Sequence, residues 1–336
     1  MILPQLQNLV KIDDDETNDT FGHFPDQRPI GTLFEYGLIF LDKPPGPTSH
    51  EVVSWVKKML NLSKIGHSGT LDPGTSGLLP LGLGEATKAL SVLTLGPKEY
   101  YALARLHSYI SAKKIEPVIK EFTGDIYQRP PQRSAVRRAT RIRTVYSFDL
   151  LEQHERLLLM KILCQAGTYV RKIIYDLGEV LSPGATMVEL RRTMVSGFSE
   201  GTERFVRLHD VFDAFQLYKD SLDETKLREL IRPIEYALQA LRGVIIRDTA
   251  VDALCHGAQL AIPGIIAIPR DLRRGELVGI YTIKGEIVGL SEAVMVSSEI
   301  ETKNNGFAFV MKRIIMKPNT YPKVWRTSVD PRKAAP

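Results

Sequence analysis

The residues with the clearest capacity for chemistry lie in the run Gly66-His67-Ser68-Gly69-Thr70-Leu71-Asp72-Pro73. The run is rich in Gly, Ser and Thr yet sits between hydrophobic stretches, and it presents one carboxylate and one imidazole. An Asp before Pro ordinarily closes an Asx-turn or caps a helix, so turn formation is the default role of Asp72 on local grounds. His67 is available as a general base. A second feature is the set Arg129, Arg133, Arg137, Arg138 and Arg141. Interrupted by Pro130-Pro131, it makes a stiffened basic loop that can face phosphates. Metal chemistry finds no support. Cys164 and Cys255 have no Cys or His at ligand spacing, His256 cannot make a site alone, and both thiols read as buried and reduced.

An ordinary globular scaffold must position these groups. The 336 residues are 43% hydrophobic and 25% charged, enough for two domains that each bury a core. Lys and Arg exceed Asp and Glu, 44 against 39, and the pI is about 9.0; this mild excess suits an anionic partner such as nucleic acid without requiring one. No signal-type N-terminus and no apolar run of about 18 residues is present, so a soluble, intracellular protein is expected. Residues 1–30, acidic at Asp13-Asp14-Asp15-Glu16, read as an arm that orders only where it packs on something else. Residues 36–42 read as a buried strand, broken at Lys43-Pro44-Pro45-Gly46-Pro47. A helix follows, opened by the capping-box pair Thr48 and Glu51, with Val52, Trp55, Val56, Met59 and Leu60 at helical spacing.

Farther along, residues 86–95 read as helix and residues 100–107 and 157–164 as strands. Thr168 can cap a helix carrying Val170, Ile173, Ile174 and Leu177 on one face, and residues 186–194, with Arg191-Arg192, read as a second helix. Strands and helices interleave without regular alternation, which predicts a mixed α+β sheet rather than a doubly wound one. Beyond residue 240, short β-rich runs separated by Gly264, Gly275, Gly285 and Gly306 predict a small, mostly β second domain, a candidate barrel. The tail after Lys317 is expected to be ordered only in part.

The 66–73 run, followed by Gly77-Leu-Leu-Pro-Leu-Gly-Leu-Gly84 and Ala86-Thr-Lys88, resembles the signature of TruB-type pseudouridine synthases. Three further segments resemble that family's motifs in order: Lys43-Pro-Pro-Gly-Pro-Thr-Ser-His50, Lys98-Glu99-Tyr100 and Gly167-Thr-Tyr-Val-Arg171. Together they cover most of residues 36–200. The resemblance implies an α+β catalytic domain built on a mixed, largely antiparallel sheet, and it replaces the turn role of Asp72 with that of catalytic carboxylate. Such a carboxylate attacks the base or sugar of a uridine, or removes a sugar proton, and the sequence leaves these routes open. It must stay ionised where water is largely excluded, and Arg171 is the cation expected to hold it at two points. Tyr100 is expected against the target base, its hydroxyl accepting or relaying a proton, while Tyr101 faces the other way as a core residue. By the same resemblance His67 keeps the flipped nucleotide's place, Tyr169 packs under the pocket and Lys43 supports the loop. An isomerisation without redox or activation needs no metal or organic cofactor.

The 127–138 loop resembles the substrate-clamping loop of the dyskerin branch, and residues 251–264 resemble the opening of a PUA β-barrel, with Gly257 allowing close approach of RNA. Residues 24–30 also resemble that branch. The implied organisation is an N-terminal arm (1–30), a catalytic domain (31–240), a C-terminal PUA domain (241–318) and a tail (319–336). The expected RNA-facing groups are His67, Lys43, Tyr169, Arg129, Arg133, Arg137, Arg138 and Gly257. Archaeal members of the branch are catalytic subunits of box H/ACA ribonucleoproteins. This implies a guide RNA paired with ribosomal RNA, and three small proteins: a zinc-ribbon nucleolar-type protein, a glycine/arginine-type β-barrel protein and a kink-turn-binding protein. The missing Lys-rich tails favour an archaeal, cytoplasmic form over a nucleolar eukaryotic one. A stand-alone enzyme acting on the transfer-RNA T-loop and a non-catalytic RNA-binding scaffold are the competing readings. Two departures, Gly74 and Glu85 at positions where relatives carry basic residues, remove positive charge.

Overall fold

Apolar runs that cannot be left in water form the central strands of a mixed sheet, with more polar strands toward one edge. In chain order these strands are Gly37–Lys43 (β1), Thr75–Leu83 (β2), Lys98–Leu106 (β3), Gly124–Gln128 (β4), Arg141–His154 (β5), Leu157–Cys164 (β6) and Ala185–Val195 (β7). They lie side by side as β1-β2-β7-β3-β6-β5-β4. β2 and β7 run parallel, whereas β7–β3, β3–β6, β6–β5 and β5–β4 run antiparallel. The sheet is therefore mixed and largely antiparallel, as expected. β1 and β2 are buried almost throughout, the pattern of strands covered on both faces. This computed structural model describes residues 4–129 and 139–323; Pro130, Pro131, Arg133, Arg137 and Arg138 lie outside the described residues.

The chain divides into two compact units. One comprises Ile39–Leu83 and Leu90–Ile231; the other comprises the chain up to Leu38, Gly84–Ala89 and the chain from Arg232 onward. In the first unit, Ser49–Met59 (α1) opens on the predicted capping box between Thr48 and Glu51 and buries Val52 and Val56, with Leu60 just beyond. Trp55 points to solvent instead of joining that face. Val170–Val180 (α2) buries Val170, Ile173, Ile174 and Leu177 in the core that also holds Ala102, Leu158, Met160 and Ile162.

Three sequence expectations need correction. Residues 186–194 are strand, not helix. Met187, Leu190 and Met194 do recur at helical spacing, but the segment fills the gap between β2 and β3, and pairing on both edges overrides local periodicity. Residues 86–95 split into a 3₁₀ turn, Gly84–Lys88, and a short helix, Leu90–Leu95. The cap position of α2 is Tyr169 rather than Thr168, with no side-chain cap bond, because the Thr168 hydroxyl donates instead to the Gln165 carbonyl (2.7 Å).

The second unit carries a seven-stranded sheet in the order Leu9–Lys11, Ile265–Pro269, Gly243–Ile246, Leu277–Tyr281, Ile287–Ala293, Phe307–Ile314, Leu260–Ala261. Its edge strand Leu9–Lys11 comes from the N-terminal arm and pairs with Ile265–Pro269. The core runs from Val244 to Tyr321, with Val10, Ile12 and Phe21 of the arm packed against it. A buried ion pair also ties the arm in. Arg28, 2% exposed, grips fully buried Glu235 at two points (2.8 and 2.7 Å), with Glu286 3.6 Å away. Tyr321 donates to Glu286 (2.8 Å), whose carboxyl is pushed up by burial. Among the described residues no helix is long and apolar enough to cross a membrane. Removing one partner from a buried pair strands the other charge, at about 3–5 kcal/mol. Glu235→Ala is therefore expected to lower unfolding free energy in urea by about that amount, and a loss under 1 kcal/mol would contradict the account.

Candidate active site

Asp72 lies in the loop that leads from Ile65–His67, which pairs with the far end of β2, into the start of β2 itself. The loop is tied down residue by residue. The Ser68 N–H donates to the Pro80 carbonyl (2.9 Å). Buried Ser49, first residue of α1, accepts from the Leu71 N–H (2.9 Å) and donates to the Leu71 carbonyl (3.0 Å). Lys43, at the end of β1, is fully buried, and its ammonium donates to the carbonyls of Pro44 (2.9 Å), Pro73 (3.1 Å) and Thr75 (2.8 Å). The Thr75 N–H donates to the Asp72 carbonyl (3.0 Å), so an Asp-Pro turn does form. The Asp72 side chain takes no part in it. Its Oδ2 accepts from Arg171 Nη2 at 2.7 Å, across 99 positions of sequence.

Two expectations change here. The Arg171 contact is single rather than two-point, and both side chains are more than half exposed, 63% for Arg171 and 57% for Asp72. A pair this open contributes only about 0–1 kcal/mol to stability. Lys43, counted among RNA-facing groups, is buried out of reach of any phosphate and acts as a strut under the loop.

Tyr100 stands on β3, where the register against β7 shifts between Glu99 and Tyr100, leaving Tyr100 opposite Arg192. Bulges re-aim side chains in this way beside functional sites. Burial holds the Tyr100 phenol above its usual range even though the hydrogen-bonded Arg192 guanidinium opposes the shift, so the phenol is neutral at neutral pH. Tyr101 turns to the other face, as alternation requires. There it is half-buried under the Lys161 ammonium (5.9 Å to the ring), not a core residue.

Sequence reasoning missed Arg192. It is 1% exposed and makes no ion pair with a carboxylate among the described residues. Its Nε donates to the Leu78 carbonyl (2.8 Å) and its Nη2 to the Gly69 carbonyl (2.9 Å) inside the Asp72 loop. β2 approaches the Arg192 backbone so closely that a Cβ at Gly77, itself at φ +100°, would stand 2.2 Å from the Arg192 oxygen. A glycine there is a steric necessity. The strand assignment would have exposed the pattern: neighbours on a strand face opposite ways. Arg191 reaches the carboxylates of Asp42 and Glu200, while Arg192 turns inward.

Lys98 is a third buried cation that pairs with no carboxylate among the described residues, donating to the carbonyls of Leu93 (3.2 Å), Thr94 (2.5 Å) and Gly96 (2.7 Å). His67 packs edge-on against His50 (5.3 Å). Burial first, then His50 and Arg192, hold its pKa below the ordinary value, and its buried Nδ1 has no hydrogen-bond partner. The neutral ring suits packing against a nucleotide better than ion pairing with one. Tyr169 is half-buried two residues before Arg171, and Arg129 is exposed just past β4. Gly257 belongs to the other unit, at φ +93° with nothing within 4 Å of a would-be Cβ. Its requirement is conformational.

Comparison with known proteins accounts for nearly the whole chain. Residues 57–170 match the TruB family pseudouridylate synthase (N terminal domain), and residues 171–239 the tRNA pseudouridylate synthase B C-terminal domain. Residues 243–315 match the PUA domain and residues 1–53 the DKCLD (NUC011) domain. A protein of Methanopyrus kandleri named probable tRNA pseudouridine synthase B is 48% identical over 310 residues, 92% of this chain and 91% of that one. One of the same name from Methanocaldococcus jannaschii is 44% identical over 320 residues, 95% of each. A chain from an H/ACA ribonucleoprotein bound to a substrate RNA containing 2′-deoxyuridine superposes with TM-score 0.87 at 43% identity, covering 97% of this chain and 100% of that chain. A chain from a Cbf5-Nop10-Gar1 complex superposes with TM-score 0.86 at 45% identity, covering 96% and 99%.

The buried ammonium of Lys98 gives a pH test of the scaffold. Burial holds its pKa down to about 8, against 10.5 in the unfolded chain. Between these values the unfolded state binds more protons, so this lysine's destabilising contribution is relieved as pH rises from 8 to 10.5. Measured by urea unfolding, wild-type stability relative to Lys98→Met is expected to increase across that window, by up to about 3 kcal/mol. A flat or falling difference would show that the ammonium is not desolvated.

Proposed function

We propose, on the premise that this chain belongs to the TruB family of pseudouridine synthases, that it converts chosen uridines of ribosomal RNA to pseudouridine as the catalytic subunit of a box H/ACA-type ribonucleoprotein. The observation that carries the catalytic reading is the Arg171–Asp72 contact, which brings together two distant motifs over a loop otherwise satisfied by the backbone. The guided reading draws support from the PUA and DKCLD segments and from full-length similarity to chains of H/ACA complexes.

The reaction breaks the C1′–N1 bond, forms a C1′–C5 bond and moves a proton from C5 to N1, with no change of redox state. Asp72, aimed by Arg171, attacks base or sugar or removes a sugar proton; each route begins with a carboxylate and regenerates it. Tyr100, a neutral phenol at neutral pH, relays the C5 proton rather than storing it. Arg192 fixes the Gly69 carbonyl and the Tyr100 hydroxyl from beneath. Because the Asp72–Arg171 pair is open to solvent, bound RNA supplies the dry lid, which lowers the dielectric around the carboxylate.

Partners of the kinds expected, guide RNA with zinc-ribbon, β-barrel and kink-turn-binding proteins, fit this reading. Tyr127, Ile142 and Tyr146 expose apolar surface on the β4–β5 hairpin, where a protein can dock. The reading places the protein in the cytoplasm of an archaeon. A second reading, modification of transfer RNA without a guide, is favoured by the name its relatives carry.

The deciding experiment incubates the full chain with transfer RNA alone, and separately with guide RNA, ribosomal-RNA target and the three partner proteins, then maps pseudouridine. Product at the guide-specified uridine is expected in the second arm, and none with Asp72→Asn. No product above that variant in either arm would end the enzyme reading. Efficient modification of transfer RNA with no binding of guide RNA would end the guided one. Arg192→Met is expected to slow single-turnover conversion about a hundredfold. Its RNA affinity should change less than about twofold, because the buried guanidinium cannot contact RNA.

A further inference from the structure

Helix α2 carries Arg171 in its first turn, yet no side chain caps its N-terminus. The entry to the helix is held by a residue from elsewhere. Gln128, the last residue of β4, is 3% exposed, and both ends of its carboxamide bond to one residue of the helix entry. Nε2 donates to the Tyr169 carbonyl (3.1 Å) and Oε1 accepts from the Tyr169 N–H (2.9 Å). The pair fixes the Tyr169 backbone on both its donor and acceptor sides, as a neighbouring strand would. The adjacent strand is also tied to this turn, by one main-chain and one side-chain bond of Gln165. The Gln165 N–H donates to the Thr144 carbonyl (2.8 Å), and the Thr144 N–H donates to Gln165 Oε1 (3.2 Å). Arg143 lies over Gly167, where a Cβ would stand 3.3 Å from its Nε. The 165–169 turn is thus bound to the β4–β5 hairpin by two glutamine side chains.

Burying a carboxamide costs free energy unless both ends are paired, and an apolar side chain of equal length would fill the same space without that cost. What the carboxamide adds is direction. The Asp72 end of Arg171 is a single exposed contact, too weak to orient a helix. The geometry of the site therefore depends on where α2 starts.

We infer that Gln128 is a positioning residue for the reaction: by clamping the Tyr169 backbone it sets the point from which Arg171 reaches Asp72. It touches no reacting atom, and the inference rests on the reading of Asp72 and Arg171 as the reaction centre.

The test uses the full chain with whichever RNA and partner set supports turnover by the wild type. Gln128→Met keeps the length and removes both hydrogen bonds. Gln128→Asn keeps the carboxamide one methylene short, and serves if the first variant does not fold. Either is expected to reduce the single-turnover rate at saturating RNA at least about tenfold, with RNA affinity changed less than about twofold. Added to Arg171→Ala, neither should cause further loss, because the two act as one unit. Amide exchange over residues 166–173 should accelerate in the variants while the rest of the first unit keeps its protection. An unchanged rate, a loss confined to affinity, or losses that multiply in the double variant would overturn the inference. A wild type inactive in every arm would count against the proposed function instead, and amide exchange would then decide on Gln128: unchanged protection at 166–173 overturns it.

Discussion

A charge can be kept out of water without a counter-charge only where rigid dipoles surround it, and this site rests on three such charges. Lys43, Lys98 and Arg192 are buried, and their donors go to backbone carbonyls rather than to carboxylates. The carbonyls of Gly69, Pro73 and Thr75 turn inward to meet them. With its backbone committed below, the loop presents the Asp72 side chain outward, where Arg171 waits. The arrangement also explains why a segment so rich in Gly, Ser and Thr holds one shape. Its order comes from cations beneath it rather than from any propensity of its own.

The cost of such burial is visible in the titration behaviour. Lys43, Lys98 and Arg192 are all pushed toward their neutral forms by desolvation. Asp72 is the carboxylate that opposes this at Lys43. Asp72 therefore favours the charged form of Lys43 from a distance, without a direct contact between the two side chains.

Much of this was legible in the sequence, for reasons that differ by residue. The capping box at Thr48 and Glu51 and the buried face of α2 follow from local spacing, so they appear as read. Asp72 and Arg171 could be paired across 99 positions only because whole motifs resemble a family; no periodicity links them. Residues 186–194 were misread because their apolar spacing is honestly ambiguous and only the flanking strands resolve it. With that strand hidden, the inward turn of Arg192 was hidden too. Gln128 was illegible for a different reason. A lone glutamine at the end of a strand carries no signal until the backbone it bonds is known. Exposure escaped prediction as well, since burial of Asp72 was inferred from chemistry that takes place only with a substrate present.

The Arg28–Glu235–Glu286–Tyr321 network draws on both ends of the chain, whereas nearly all of the catalytic unit is encoded between them. During synthesis, residues 39–231 are all translated before Glu235, the first carboxylate that neutralises Arg28. The Arg28 guanidinium stays solvated until Glu235 is available to it. Order of birth and order of folding therefore run in opposite directions here. A segment that precedes the first unit in sequence is thus fixed only by partners that follow that unit.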